Sequence, residues 1–158
     1  MCKFQGFRAR WVSGFTLVEL MVVVLVITIL TVIAVPSYLS QVRKSRRSEV
    51  KSILTDLGAR EERYMATNGL YSSAITDLGF SVAWGQPVGS GYYTIATPQI
   101  NPAVSGTLTV AATPATWSFT ATTTGAQTQD TECKTFTITS QGQQTSANSA
   151  GAATTDCW

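Results

Sequence analysis

Residues 14–20 read GFTLVEL, and apolar sequence continues from them without a break to Val35. After Glu19 no residue in this run is charged, and two threonines are its only polar residues. As a helix, residues 15–35 would be about 31 Å long at ~1.5 Å per residue, which is enough to cross the hydrocarbon core of a bilayer. A carboxylate near the start of such a span is costly in lipid, so Glu19 indicates a function.

The segment before this run, residues 1–14, is short and basic and contains no apolar core. In an ordinary secretory signal the small residue at the cleavage site follows the hydrophobic region. Here Gly14 precedes it, so cleavage between Gly14 and Phe15 would keep the apolar helix in the mature protein. The alternative is an uncleaved anchor with a basic flank. Cleavage would remove Lys3, Arg8 and Arg10, so Lys plus Arg would fall from 11 to 8 against 9 Asp plus Glu, a side-chain charge of −1.

This order of basic leader, glycine, phenylalanine and glutamate resembles the processing and assembly motif of type IV prepilins, and the chain is most similar to PilE-type minor pilins. The resemblance implies that a prepilin peptidase cleaves after Gly14 and N-methylates Phe15. It also implies storage in the inner membrane, followed by insertion of the chain among other pilin subunits by an assembly platform into a retractile filament. Later features that carry the resemblance are Arg63-Tyr64, Tyr71, Asp130-Thr131-Glu132-Cys133 and Cys157-Trp158.

Glu19 can be interpreted in three ways. It could pair with the new amine of Phe15 in its own chain, pair with that amine in a neighbouring subunit, or reach the membrane interface without a partner. A pair between subunits would set the axial register of one smooth apolar helix against the next. We favour this role, which the resemblance also implies.

The cysteines and the positive charges predict opposite orientations of the anchor. Because Cys2 lies in the leader, two cysteines remain, Cys133 and Cys157. This even number suggests a disulfide in an oxidising compartment. Five Lys and Arg residues follow the apolar span within residues 43–51, and counting them would place that side in the cytoplasm. The motif and the cysteines favour the N-terminus inside and the head in the periplasm.

After the apolar run, Pro36 is expected to kink the helix. Residues 37–67 then recur near a helical period and predict an amphipathic continuation of the same helix. The pair Asn68-Gly69 is a plausible stop. Gly58 weakens this helix prediction, because an interior glycine destabilises a helix.

The remaining residues, 68–158, predict a globular head that packs on the helix, and hence an α+β fold. We expect a loop over 68–90 with one helical turn near Ala74–Leu78. Strands are predicted from period-two alternation at 92–96, 107–111, 117–121 and 135–139. Their inward residues are Leu108, Val110, Trp117, Phe119, Phe136 and Ile138. A disulfide between Cys133 and Cys157 would join the last strand region to the C-terminus, and residues 142–155 are predicted to form an exposed polar loop.

No pattern for catalysis, a cofactor or a metal site is present. The chain has no histidine, no P-loop, no dinucleotide fingerprint and no zinc spacing, so we predict a protein that is not an enzyme. Asp130 and Glu132 could bind calcium, but plain surface charge is the better interpretation. The basic run at residues 43–47 could contact lipid phosphates or nucleic acid, although a solvated or subunit-facing surface is favoured.

Three functions therefore stay open. The first is a type IV pilus subunit, with a minor one favoured, in a filament for motility, adhesion or DNA uptake. The second is a type II secretion pseudopilin, which shares the N-terminal motif but usually lacks a C-terminal disulfide. The third is a binding module at a pilus tip, in which the 142–155 loop or a basic surface holds a host surface or DNA.

Overall fold

The computed structural model describes residues 14–101 and 115–158. Its first element is one α-helix, α1, over Leu17–Asn68, which confirms the prediction of a single long N-terminal helix. The chain divides into two compact units, one ending at Ser40 and the other beginning at Gln41.

Both ends of α1 follow from local chemistry. The Thr16 hydroxyl accepts a hydrogen bond from the Glu19 backbone N–H at 3.2 Å, so Thr16 caps the helix and the first helical residue is Leu17 rather than Phe15. At the other end, Gly69 adopts φ 76° and its N–H donates to the Met65 carbonyl at 2.8 Å. This is the predicted glycine stop, because a left-handed residue ends a helix while satisfying one of its last carbonyls.

In the first unit, every residue from Gly14 to Ser40 is exposed. The hydroxyls of Thr28 and Thr31 donate to backbone carbonyls one turn earlier, each at 2.8 Å, so neither is left unsatisfied on an apolar helix. Pro36 lies inside α1 and does not end it; the kink predicted there stays a prediction.

In the second unit, the described residues form a sheet of seven antiparallel strands in the order β1-β2-β4-β5-β6-β7, with β3 also paired to β4. The strands are β1 (Pro87–Val88), β2 (Tyr93–Ile95), β3 (Gln99–Asn101), β4 (Thr116–Thr123), β5 (Thr135–Thr139), β6 (Gln144–Ala147) and β7 (Ala153–Thr154). A 3-10 turn over Gly125–Gln129 separates β4 from β5. The predicted strand at 107–111 lies outside the described residues.

The core of this unit lies between the sheet and residues 41–68 of α1. Alternate residues of β4 and β5 are buried, and they share one apolar cluster with Val50, Leu54 and Leu57 of the helix. The prediction that Trp117, Phe119, Phe136 and Ile138 face inward is confirmed, while Leu108 and Val110 lie outside the described residues. Together these elements are the α+β fold that the sequence predicts.

Residues 74–79 form successive turns with hydrogen bonds between residues three apart, which is the pattern of a 3-10 turn and agrees with the helical turn predicted near Ala74–Leu78. Residues 142–155, predicted as a loop, contain β6 and β7 instead. The main chain of β6 pairs with β5 from Gln144 to Ala147, because backbone hydrogen bonding to a neighbouring strand does not require a β-favouring sequence.

Candidate functional site: an apolar anchor and a basic helix face

The N-terminal motif places Glu19 in the first turn of α1. Phe15 is 82% exposed, and the apolar side chains that follow it are exposed around the whole helix. Within the part of the chain that the structure describes, the Glu19 carboxylate makes no hydrogen bond and no ion pair. Since the helix from Leu17 is long and apolar enough to cross a membrane, this region is suited to burial in lipid or among helices of its own kind.

A second polar region is the basic helix face, which we define as the cations on α1 from Arg43 to Lys51. Its members are Arg43, Lys44, Arg46, Arg47 and Lys51. Helical spacing places these side chains on one side of the helix. Residues 43–51 of α1 therefore carry most of the positive charge of the described chain.

Arg47 is the neutralised member of this face. Its guanidinium donates two hydrogen bonds to the Asp130 carboxylate, at 2.7 and 2.6 Å, and lies 3.9 Å from Glu132. Asp130 is 2% exposed and also accepts hydrogen bonds from the Gln127 amide and the Cys133 N–H. The hydrogen bond from Arg47 to Asp130 raises the pKa of Arg47. Both Asp130 oxygens are thus engaged by protein donors, and in the described residues no group of three or more carboxylate or cysteine side chains could hold a metal ion.

The other cations of the face keep their charge uncompensated. Arg46 lies 3.5 Å from the centre of the Tyr92 ring and donates to Gln127, while Arg43 donates to Gln129. Aromatic rings and amides hold a guanidinium in place without cancelling its charge. Among the described residues no carboxylate lies within 4.0 Å of Arg43, Lys44, Arg46 or Lys51. These four cations can therefore attract an anion.

Beside the face, Tyr93 is a buried polar residue of β2. Burial, and then the negative charge of Asp130, raises the pKa of Tyr93 to about 12. Sequence reasoning missed Tyr92, Gln127 and Gln129 as partners of the basic run. No local pattern could have found them, because the glutamines lie more than 80 residues from the arginines they contact.

A disulfide near the C-terminus joins Cys133 and Cys157, with 5.7 Å between their Cα atoms. Both cysteines are buried, and Trp158 packs edge-on against Phe136 with ring centres 5.9 Å apart. The predicted disulfide is confirmed, and it holds the C-terminus against the central strand β5.

Two family models match the chain. The prokaryotic N-terminal methylation motif matches residues 12–35, and the family described as type IV minor pilin ComP, DNA uptake sequence receptor, matches residues 36–137, more than half of the chain. Comparison with curated proteins found no match. The methylation motif falls on the exposed apolar anchor, and the minor pilin family covers the basic helix face and most of the sheet. The chain therefore belongs to the type IV minor pilin family, and it is a structural subunit that one helix anchors in the membrane before it joins other pilins in an extracellular pilus.

Proposed function

We propose that this minor pilin binds DNA at the pilus surface and that the basic helix face contacts the phosphates. The observation that carries the proposal is the match to a DNA uptake sequence receptor family across the residues that contain this face. Four cations there have no carboxylate partner within the described residues. Phosphate contacts by Lys and Arg provide much of the affinity of a protein for DNA.

The positions of the positively charged residues indicate which surface of the protein would contact DNA. Between residues 69 and 158 the sequence holds a single cation, Lys134. A DNA duplex that binds this chain must therefore obtain most of its ionic contacts to phosphates from α1. The exposed amide of Gln129 lies beside Arg43, and a glutamine amide can hydrogen-bond an adenine edge in the major groove.

The salt dependence of binding tests this proposal. Full-length protein in detergent should bind DNA with a log–log salt slope of about −3 to −4, since about four phosphates would be contacted. The double substitution Arg43→Gln with Lys44→Gln should reduce the slope by about 2 and weaken binding to all sequences alike. Fluorescence anisotropy with labelled duplexes measures both quantities.

Arg63→Gln with Lys134→Gln is the matched control, because it removes two cations that lie outside the basic helix face. We expect its slope to equal that of the wild type. An equal loss in both double variants would contradict the assignment of the site. Preference for genomic DNA of the source bacterium over unrelated DNA of equal length and base composition tests sequence recognition separately.

We also propose the processing steps that the N-terminal motif implies. Residues 1–14 are a leader that prepilin peptidase removes after Gly14, Phe15 becomes the N-methylated N-terminus, and an inner-membrane platform assembles the subunit. The support is the methylation motif match at residues 12–35. Intact-mass measurement of membrane-extracted protein should give a chain that begins at N-methyl-Phe15, and Gly14→Val should retain the leader. A wild-type chain that keeps residues 1–14 would overturn this part of the proposal.

A further inference from the structure

The sheet of this protein carries no charge. The sequence has no Asp, Glu, Lys or Arg between Leu78 and Gln129, or between Thr135 and Thr155. All seven described strands lie within these two stretches. A surface without cations does not attract a polyanion, so it is chemically distinct from the basic helix face.

The side of the sheet away from the core is covered with hydroxyl groups. Every second residue of β4 and β5 is half-buried, and these residues alternate with the buried core residues. They are Thr116, Ser118, Thr120, Thr122, Thr135, Thr137 and Thr139. The strand register sets Thr120 opposite Thr137 and Ser118 opposite Thr139. The hydroxyl oxygens of Thr120 and Thr137 lie 2.9 Å apart, so adjacent strands present their hydroxyls as neighbours.

At one end this face deepens into a groove of about 240 Å³. Its walls are β3, the start of β4, and the end of β5 with the turn into β6. The lining residues are Gln99, Asn101, Thr116, Trp117, Ser118, Thr139, Ser140, Gln141 and Gln143, and none of them is charged. The volume is below the ~300–1,000 Å³ of pockets that enclose drug-sized ligands. It suits one ring of a longer molecule that lies along the sheet.

Four exposed amides reach this groove from opposite sides. Gln99 and Asn101 come from β3, and Gln141 and Gln143 come from the β5–β6 turn. Gly142 allows that turn by adopting φ 75°. Among the described residues, the side chains of these four make no hydrogen bond to the protein. Each amide offers two donor hydrogens and one acceptor oxygen to a ligand.

We propose that this groove binds a neutral oligosaccharide, with one sugar ring between the two pairs of amides and the adjoining rings along the hydroxyl-bearing side of β4 and β5. Sugar hydroxyls both donate and accept hydrogen bonds, which matches a surface of amides and hydroxyls. The absence of charge favours an uncharged sugar over DNA or an acidic glycan. This site is independent of the DNA contact proposed for the basic helix face.

The test is backbone-amide NMR of the full chain in micelles of a detergent that contains no sugar. The probes are maltotriose, cellotriose and N,N′,N″-triacetylchitotriose. Because hydrogen bonds between uncharged groups are individually weak, we expect a Kd of about 1 mM for at least one probe. Saturable shifts should appear in residues 99–101, 116–118 and 139–143. The double substitution Gln99→Ala with Gln143→Ala should weaken that binding about tenfold or more.

Gln86→Ala is the matched control, since Gln86 is an exposed amide in the loop before β1. It should bind the probe as the wild type does. Absence of saturable shifts with all three sugars at about 10 mM, ten times the expected Kd, would overturn the proposal. So would shifts of the groove residues with duplex DNA but with none of the sugars, because the groove would then belong to the DNA site.

Discussion

The indole of Trp117 lies directly against the backbone of Gly58, so close that a Cβ at position 58 would come within 2.7 Å of the indole Cη2. This contact explains why a glycine stands inside an otherwise ordinary helix. It also lets the indole N–H of Trp117 donate to Glu62 at 2.7 Å. Glycine at position 58 therefore lowers the helix propensity of α1 but allows β4 to pack closely on the helix.

Gly58→Ala should destabilise the head although alanine is the better helix former. The gain in helix propensity is about 1 kcal/mol, whereas overpacking costs about 1–3 kcal/mol and also displaces the Trp117 hydrogen bond. Denaturant unfolding measures the change. Trp117→Phe removes the crowding atom, so Gly58→Ala should cost less in that background. A Gly58→Ala variant that unfolds at higher denaturant than the wild type would contradict the packing argument.

Asp130→Asn should reduce the free energy of unfolding by about 3 kcal/mol, since it leaves the largely buried Arg47 without its buried charge partner and only the exposed Glu132 nearby. The same change at Asp56 is the matched control. Asp56 pairs with Arg60 at 2.9 Å, but both side chains are more than a third exposed. Loss of that surface pair should cost less than about 1 kcal/mol. Equal costs for the two variants, measured in urea, would show that the Arg47–Asp130 pair is not the stronger contact.

Glu61 should make the stability of the head depend on pH. Its side chain is fully buried, one oxygen accepts the Ser72 N–H at 2.6 Å, and the other has no partner among the described residues. Burial is the main cause that raises the pKa of Glu61, with smaller contributions from the charges of Glu62 and Asp77. The folded state therefore holds the proton more tightly than the unfolded state does. Stability should fall as pH rises from the ordinary carboxyl pKa of 4.5 through the raised folded value.

Glu61→Gln tests this pH dependence because it removes the ionisation. The variant should be more stable than the wild type by about 1 kcal/mol at neutral pH, because the wild type must there either bury a charge or hold a proton that the unfolded chain releases, and it should lose this advantage in acid. Thermal unfolding across pH 4 to 8 gives the comparison. Asp156→Asn, the same kind of change at an exposed carboxylate, is the control substitution. An unaltered profile in Glu61→Gln would remove Glu61 as its source.

Reduction of the Cys133–Cys157 disulfide should destabilise the head by about 3 kcal/mol, on a loop-closure estimate. The bond holds β6, β7 and Trp158 against β5. Cys157→Ser should unfold at the same denaturant concentration as the reduced wild type. Identical unfolding of oxidised and reduced protein would show that the bond adds no stability. Non-reducing peptide mapping of pilus-derived protein should recover the linked peptides.

Glu19→Val should leave membrane insertion intact, because it makes the span more apolar. If Glu19 pairs with the Phe15 amine of a neighbouring subunit, the amount of variant in sheared pili should fall by about tenfold, the effect of losing ~1.4 kcal/mol of assembly free energy. Quantitative mass spectrometry of membranes and pili measures both pools. Leu20→Val, a neighbouring change between apolar residues, should not alter either. Wild-type levels of Glu19→Val in pili would leave Glu19 as an interfacial residue without a partner.

The elements that depend on residues close together in the chain could be predicted before the structure was known. The apolar run after Glu19 and the helical period beyond it predicted α1 and its glycine stop. Period-two alternation predicted β4 and β5 and the residues they bury. The two cysteines outside the leader left one plausible disulfide. The helix and the strands follow from patterns that span a few neighbouring residues, and the disulfide follows from the number of cysteines.

The contacts between segments that are distant in the chain became known only from the folded structure. In the folded protein Asp130 contacts Arg47, Trp117 packs on Gly58, and Glu61 is buried where it accepts the Ser72 N–H. Residues 142–155, predicted as a loop, contain β6 and β7. The neutral groove is likewise made by strands that are far apart in sequence. These arrangements are invisible in a linear pattern because their energy comes from desolvation and packing between segments, and both exist only once the chain has folded.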